Sequence, residues 1–160
     1  MKQSPLVSTL VIARSRNAEP HPLVLIAEDD AALREVLSEG LREVGCKVRT
    51  AGDGRELLAM LTMVSRKEMP MPSLIIMDVR MPRCSGMDVL TALRLADWHV
   101  PVLMISGFAD LELHDRAGTL GAVMLDKPFD LETLRCVVGA LCTISEGEVR
   151  SSSAPTEEVS

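Results

Sequence analysis

Short, unbroken apolar runs recur along the chain, and each is followed at once by a polar side chain. The runs are Leu23–Ala27, Leu74–Met77, Val102–Ile105 and Ala122–Leu125. A run of this length between turn-forming residues is typical of a strand that is buried on both faces. Parallel sheets with helices on both sides bury their strands in this way, so the runs indicate an α/β protein.

Amphipathic segments separate these runs and complete five β-α units. A further strand, Lys47–Ala51, alternates in polarity and is predicted at a half-exposed edge of the sheet. Asp30, Asp53, Ser85 and Asp130 precede the helical patterns and are predicted N-caps. Right-handed crossovers leave few topologies for a doubly wound parallel sheet. The flavodoxin-like strand order 2-1-3-4-5 is one of the two common ones.

Carboxylates follow the first and third strands of this arrangement. Glu28 and Asp29 come directly after Leu23–Ala27, and Asp78 ends the strand that begins at Leu74. In the order 2-1-3-4-5 these strands are neighbours, and their carboxyl ends flank the ligand crevice. Carboxylates at short range repel one another, and a hard divalent cation relieves this repulsion because it prefers oxygen ligands. The sequence therefore predicts a Mg²⁺ site at this edge.

A hydroxyl and a lysine follow the last two strands. Ser106 stands beside Gly107, where it has room to donate a hydrogen bond to an arriving anion. Lys127 has a flexible stem that can reach back to a carboxylate or a phosphoryl oxygen. We predict a cis peptide bond between Lys127 and Pro128, which would aim the lysine.

These groups together suit attack by a carboxylate on phosphorus. Asp78 is ionised at neutral pH and needs no general base to form an acyl phosphate. A metal ion and Lys127 would offset the charge on the transferring group. His21, His99 and His114 match no strand end and are predicted surface residues.

The composition limits which partners this chain is expected to bind and indicates its cellular compartment. The net charge is -6 with no basic stripe, which argues against binding nucleic acid or an anionic membrane. Aromatic residues are only 2%, too few for a base-stacking platform. The four cysteines lack CxxC spacing and are predicted free thiols of a cytoplasmic protein. No apolar stretch approaches the roughly 18 residues of a membrane span.

Both ends of the chain are predicted to lie outside the folded domain. Residues 1–22 end in a polar, proline-marked stretch and are predicted to form a flexible leader. Residues 143–160 have too few apolar side chains to fold alone and are predicted to be a disordered tail. The folded domain is predicted over 23–142, with no second domain.

Four motifs together resemble the receiver domain of two-component response regulators. They are Leu25–Asp30, Ile76–Pro82 with Ser85-Gly86, Met104–Gly107 and Asp126–Phe129, in this order within about residues 23–142. The resemblance implies a flavodoxin-like (βα)5 fold with strand order 2-1-3-4-5. It also implies a phosphoacceptor switch in which Asp78 takes a phosphoryl group from a histidine kinase or a histidine phosphotransfer protein.

The resemblance further implies a ligand set for Mg²⁺. Asp29 and Asp78 would bind the ion through their side chains, and Arg80 through its backbone carbonyl. Glu28 would contribute through a bound water.

The phosphoryl oxygens, by the same resemblance, would be held by Lys127 and Ser106. In the family, movement of the hydroxyl couples to an aromatic residue on the fifth strand. Met124 stands at that position here, so the usual aromatic readout is not expected in its ordinary form. Methionine is adaptable and can repack, which leaves another form of switch open.

We expect a stand-alone switch whose output comes from contact with a downstream protein, from passing the phosphoryl group on or from buffering a kinase. We do not expect an enzyme with turnover beyond its own phosphorylation and slow autodephosphorylation. One alternative is a phosphorylation-independent adaptor with the same fold. The other is a phosphatase of the haloacid dehalogenase type. Those enzymes carry Asp-x-Asp-x-Thr on the first strand, whereas the candidate nucleophile here lies on the third and Arg80 occupies the second-acid position.

Overall fold

The computed structural model describes residues 21–107 and 111–151, with side chains described up to residue 142. Its strands are β1 (Leu23–Ala27), β2 (Lys47–Ala51), β3 (Leu74–Asp78), β4 (Val102–Ser106) and β5 (Ala122–Asp126). Its helices are α1 (Ala31–Arg42), α2 (Gly54–Ser65), α3 (Gly86–Leu95), α4 (Leu111–Thr119) and α5 (Leu131–Ser151). The strands pair in parallel in the order β2-β1-β3-β4-β5, which confirms the predicted flavodoxin-like topology.

The two faces of the sheet bury separate aliphatic clusters. Leu25 and Met77 belong to the cluster with α2 and α3, while Val24 and Ile76 belong to the cluster with α1 and α5. Successive strand residues point to opposite faces, so a strand covered on both sides must be apolar throughout. This explains why β3 and β4 are unbroken runs, fully buried, while the edge strand β2 alternates and is largely exposed.

Three of the predicted N-caps have the expected hydrogen bonds. The Asp30 carboxylate accepts from the backbone N–H of Leu33 at 3.1 Å, and the Asp130 carboxylate accepts from that of Thr133 at 2.7 Å. Ser85 forms a reciprocal capping box at the start of α3. Each cap satisfies backbone donors that a helix leaves without an internal partner.

The cap of α2 differs in one detail from the reciprocal capping box at α3. The Asp53 carboxylate accepts from the Glu56 N–H at 2.8 Å, as expected. The Glu56 carboxylate accepts from the N–H of Gly52 at 2.6 Å, one residue before the cap. Asp53 is buried, and its second oxygen is paired with Arg83 instead.

The last helix is longer than the sequence predicted. α5 runs to Ser151, beyond the predicted domain end at 142, while the predicted disordered tail over 143–160 stays a prediction. A formed helix extends by one hydrogen bond per added residue, and no proline occurs before Pro155 to stop it. Residues 152–160 and most of the predicted leader, 1–20, lie outside the described part of the chain.

Candidate phosphoryl-transfer site

The strand register brings the predicted acids together. Ala27 at the end of β1 pairs with Met77 on β3, so Glu28 and Asp29 lie beside Asp78. The Glu28 N–H is held by the Ala51 carbonyl of β2 at 3.1 Å. One carboxylate oxygen from each of Glu28, Asp29 and Asp78 lies within 4.8 Å of the others. We call these three residues the acid cluster.

Asp78 is buried, and both of its carboxylate oxygens accept hydrogen bonds. Oδ1 accepts from the backbone N–H of Arg80 at 2.8 Å, and Oδ2 accepts from Lys127 Nζ at 2.5 Å. The Lys127–Pro128 peptide bond is cis, as predicted from the sequence. Lys127 therefore reaches the acid cluster from the end of β5, two strands away from Asp78.

Glu28 is the most enclosed of the acids, with 1% of its surface exposed. Oε1 accepts from the Asp30 N–H at 3.1 Å, and Oε2 accepts from Lys127 Nζ at 3.3 Å. Burial raises the pKa of Glu28 to about 7, with Asp78 adding to the rise and with the Asp30 N–H and the Lys127 charge opposing it. When all three acids are ionised, the acid cluster carries three negative charges against the single positive charge of Lys127, which leaves a net negative charge of the kind that a cation site requires.

Lys127 responds in the opposite sense to the same surroundings. Burial acts to lower the pKa of Lys127, but its hydrogen bonds with Asp78 and Glu28 and their charges raise it, and the net direction is upward. The ammonium group is thus firmly protonated at neutral pH. It supplies a fixed positive charge beside both carboxylates.

Ser106 is buried at the end of β4, one residue beyond the Ile105 that pairs with Asp78. Its carbonyl accepts from the Lys127 N–H at 2.8 Å, which joins the end of β4 to the start of the loop that carries the lysine. Arg80 contacts Asp78 through its N–H, while the sequence had pointed to its carbonyl as a metal ligand. The N–H and the carbonyl of Arg80 belong to different peptide units, and the role of the carbonyl stays a prediction.

The loop between β3 and α3 lies against the site through a close backbone contact. The N–H of Gly86 donates to the Val79 carbonyl at 3.0 Å. A Cβ at Gly86 would stand 2.3 Å from the Asp78 carbonyl oxygen, closer than any side chain can approach. The sequence predicted a helix start here but not this contact. Glycine is required because the α3 backbone passes directly over the backbone of the proposed nucleophile.

The same loop is tied to the neighbouring loop between β2 and α2. Arg83 pairs with Asp53 at 3.3 Å, and a Cβ at Gly54 would stand 2.3 Å from the Cys84 carbonyl oxygen. Arg83 is largely exposed and adopts a positive φ of 71°. Sequence reasoning missed this link because no local pattern relates residues on separate loops.

The histidines, Met124 and the cysteines lie outside the acid cluster. The three histidines bond to Gly45, Asp97 and Asp126 and contribute nothing to the acid cluster. Met124 is half-buried and pairs in register with Met104 of β4. The four cysteines are free, as predicted.

Replacing Glu28 with Gln is expected to change how stability depends on pH in metal-free protein. The folded-state pKa of about 7 lies above the ordinary 4.5, so wild-type stability falls as pH rises through this window and then levels off. At 1.36 kcal/mol per pKa unit, the loss is about 3 kcal/mol. The amide in Glu28→Gln cannot ionise, so this variant should not lose stability as pH rises through the window.

Urea denaturation with EDTA at a series of pH values measures this difference. The stability gap between Glu28→Gln and the wild type should open between about pH 4.5 and about pH 7. Groups such as Asp130, whose pKa is lowered by the Thr133 N–H, are common to both proteins and cancel in the gap. A gap of the same size at both ends of the window would show that Glu28 does not titrate there.

The described residues form an α/β protein whose acid cluster lies beside Lys127 at the carboxyl edge of the sheet. A family model for the response regulator receiver domain matches residues 24–138. The chain therefore belongs to the response regulator receiver domain family. Receiver domains are signalling components of two-component systems, and they bind Mg²⁺ through an acidic pocket.

Curated relatives share this domain within longer proteins. Nodulation protein W of Bradyrhizobium diazoefficiens is 37% identical over 126 residues, covering 77% of this chain and 52% of that protein. Transcriptional regulatory protein PdtaR of Mycobacterium tuberculosis is 40% identical over 116 residues, covering 69% of this chain and 52% of that protein. The chain thus spans about half the length of these relatives.

Solved structures match the fold over almost their whole length. The chemotaxis response regulator CheY4 of Vibrio cholerae is 31% identical with a TM-score of 0.65, covering 76% of this chain and 98% of that one. The receiver domain of a LuxO repressor protein from Vibrio parahaemolyticus has a TM-score of 0.74 and covers 84% of this chain and 99% of that one. Its 23% identity supports the shared fold alone.

Proposed function

We propose that Asp78 is the phosphoacceptor of a signalling switch and that it takes its phosphoryl group from a histidine kinase or a histidine phosphotransfer protein. The observation that carries this proposal is the position of the Asp78 carboxylate. It accepts a hydrogen bond from the Lys127 ammonium group, and one of its oxygens lies within 4.8 Å of a carboxylate oxygen from each of Glu28 and Asp29. An acid in this setting has a cation to receive phosphoryl oxygens and an oxygen-rich pocket for a metal ion.

The transfer is a displacement at phosphorus. A carboxylate oxygen of Asp78 forms a bond to the phosphorus atom of the donor's phosphohistidine, and the phosphorus–nitrogen bond breaks. The electron pair of the broken bond stays on the imidazole nitrogen, which takes up one proton from solvent and leaves a neutral histidine. The product is an aspartyl phosphate, a recognised covalent intermediate.

Lys127 and Ser106 have separate roles in this step. Lys127 Nζ already lies 2.5 Å from Asp78 Oδ2, so a short movement brings its charge to an incoming phosphoryl oxygen. Ser106 ends the neighbouring strand, buried, with a hydroxyl that can donate one hydrogen bond. Such donors stabilise the charge of the transferring group.

The acid cluster fits Mg²⁺ by the chemistry of its donors. Asp29 and Asp78 would ligate through their side chains, Arg80 through its carbonyl and Glu28 through a water. Mg²⁺ takes one or two carboxylates and keeps several waters, which matches a cluster open on the Asp29 side. When bound, the ion would neutralise charge that develops on the phosphoryl oxygens.

Signalling output would come from changed contacts with a downstream protein, in the cytoplasm and without direct binding of nucleic acid. Within the described residues no helix is long and apolar enough to cross a membrane. The complete set of acid, hydroxyl and lysine favours this switch over a phosphorylation-independent adaptor.

Incubation with Mg²⁺ and acetyl phosphate, followed by intact-mass measurement, tests the proposal. The wild type is expected to gain the mass of one phosphoryl group, and Asp78→Asn is expected to gain none, because an amide is not a nucleophile for this reaction. Asp115→Asn, which alters an exposed acid on α4, is the matched control and should be modified like the wild type.

The alternatives are distinguished by the same experiment together with a Mg²⁺ titration and an assay of phosphate release from a phosphate ester. A wild-type protein that binds no Mg²⁺ and gains no mass would behave as an adaptor. Steady release of phosphate from an ester over many turnovers would indicate a phosphatase. Modification of Asp78→Asn to the wild-type extent would place the phosphoacceptor elsewhere.

A further inference from the structure

Arg34 joins helix α1 to the backbone of the acid cluster. Its Nη1 donates to the Glu28 carbonyl at 2.7 Å. Its own N–H donates to the Asp30 carbonyl at 2.9 Å, so the first turn of α1 fixes its backbone. The guanidinium also lies beside Gly52, 3.4 Å from where a Cβ at that residue would stand. Arg34 thus contacts the loops that follow both β1 and β2.

The carbonyl that Arg34 holds belongs to the peptide unit between Glu28 and Asp29. That unit is planar, so a fixed carbonyl also fixes the N and Cα atoms of Asp29. The Asp29 side chain is exposed, and no hydrogen bond or ion pair of its carboxylate occurs among residues 21–107 and 111–142. Its direction therefore depends on the backbone that carries it.

We propose that Arg34 is a positioning residue for the metal site, because it holds the Glu28–Asp29 peptide and so aims the Asp29 carboxylate at Asp78. This inference rests on the proposed function, since it needs the acid cluster to bind Mg²⁺. The neighbouring Glu28 side chain is tied by the Asp30 N–H and by Lys127. The exposed member of the cluster is the one that needs a backbone tether.

The charge of Arg34 works against this role. A guanidinium near a divalent cation repels it, so loss of Arg34 has two opposite effects on Mg²⁺ affinity. Solvent at the open side of the site screens the repulsion, and its effect on affinity is small. Loss of a residue that orients a ligand typically costs about 10-fold to 100-fold in metal affinity. The positioning effect is therefore expected to dominate.

Calorimetric titration with Mg²⁺ of the wild type, Arg34→Met and Arg34→Lys provides the test. Arg34→Met should raise the Mg²⁺ Kd by about 10-fold or more. Arg34→Lys keeps the charge but lacks the planar fork of donors, so it should lie between the two. The matched control is Arg42→Met on the same helix, whose side chain makes a long 3.5 Å contact with the Val48 carbonyl and is exposed, and its Kd should stay at the wild-type value.

A second readout needs no metal ion. In EDTA, the amide resonance of Asp29 should shift in Arg34→Met, because its peptide unit has lost its tether. Hydrogen exchange of the Glu28 N–H, which donates to the Ala51 carbonyl at 3.1 Å, should speed up. Amides in β4, far from this loop, should be unchanged. A variant that only lowers global stability would change both groups together and would count against the positioning role.

The outcomes separate this inference from the proposed function. If the wild type binds no Mg²⁺, the metal site fails and Arg34 has nothing to position. If the wild type binds Mg²⁺ and Arg34→Met binds it equally or more tightly, the proposed function stands and the role of Arg34 is overturned. If Arg34→Met does not fold, the Mg²⁺ Kd of Arg34→Lys provides the test. A wild-type Mg²⁺ Kd for Arg34→Lys would then overturn the positioning role of Arg34.

Discussion

Gly86→Ala is expected to destabilise the protein by about 3 kcal/mol, at the upper end of the cost of overpacking. The added Cβ would stand 2.3 Å from the Asp78 carbonyl oxygen and 3.0 Å from the Met104 terminal methyl. The methionine can move aside, but the Asp78 carbonyl is part of β3 and cannot. The clash is relieved only if α3 or the β3 end shifts, and either shift displaces the proposed phosphoacceptor.

Gly118→Ala is the matched control for this variant. Gly118 lies inside α4, and no atom comes within 4 Å of an added Cβ. Alanine is a better helix former than glycine, so a gain of up to about 1 kcal/mol is expected. Urea denaturation gives both free energies of unfolding. The close contact would be disproved if Gly86→Ala unfolded at the same urea concentration as the wild type.

The strands and the acid cluster were predictable because each rests on local sequence. A buried parallel strand must be apolar on both faces, so β3 is an unbroken run that stops at Asp78. Parallel strands place their carboxyl ends at one edge of the sheet. The positions of Glu28, Asp29 and Lys127 next to Asp78 follow from this rule once the strand order is known.

The contacts that hold the site were not predictable in the same way. Arg34 reads as one of several polar residues on an amphipathic helix, and only the fold shows that it reaches the Glu28 carbonyl. Arg94 likewise donates to the carbonyls of Trp98, Val100 and Leu120, which lie on both sides of β4 in the sequence. The carbonyls that a long side chain can reach depend on the tertiary structure, so they cannot be predicted from sequence spacing.

Met124 shows how far the structure takes a prediction about signalling. It pairs with Met104, whose terminal methyl lies next to Gly86 and so close to the Asp78 carbonyl. Met104 belongs to the apolar cluster on one face of the sheet, and Met124 packs against the same cluster, which links the position of the missing aromatic residue to the site. Methionine side chains have several accessible rotamers, so a rearrangement here would be a repacking of flexible chains rather than rotation of one ring.

Lys127→Met is expected to lower stability in EDTA at neutral pH by about 2 kcal/mol and to slow phosphorylation of Asp78 by about 100-fold. The stability loss arises because Asp78 and Glu28 would remain buried without the cation 2.5 Å and 3.3 Å away. Breaking such a pair costs about 3 kcal/mol or more in a dry interior, and the figure is reduced here because 27% of the lysine side chain is exposed. The rate loss arises because a phosphoryl oxygen would lose its charged donor.

Mg²⁺ distinguishes these two effects of Lys127→Met. A site that has lost one positive charge should bind the ion more tightly, so saturating Mg²⁺ should restore most of the stability. It should not restore the phosphorylation rate, because the metal ion cannot occupy the position of the ammonium group.

Lys47→Met, which alters an exposed lysine on the edge strand β2, is the control and should match the wild type in both measurements. Thermal unfolding with and without Mg²⁺, together with the initial rate of adduct formation from acetyl phosphate, measures both quantities. A Lys127→Met protein as stable in EDTA as Lys47→Met would mean that the buried acids do not depend on the lysine, and a wild-type rate of adduct formation would remove Lys127 from the transfer step.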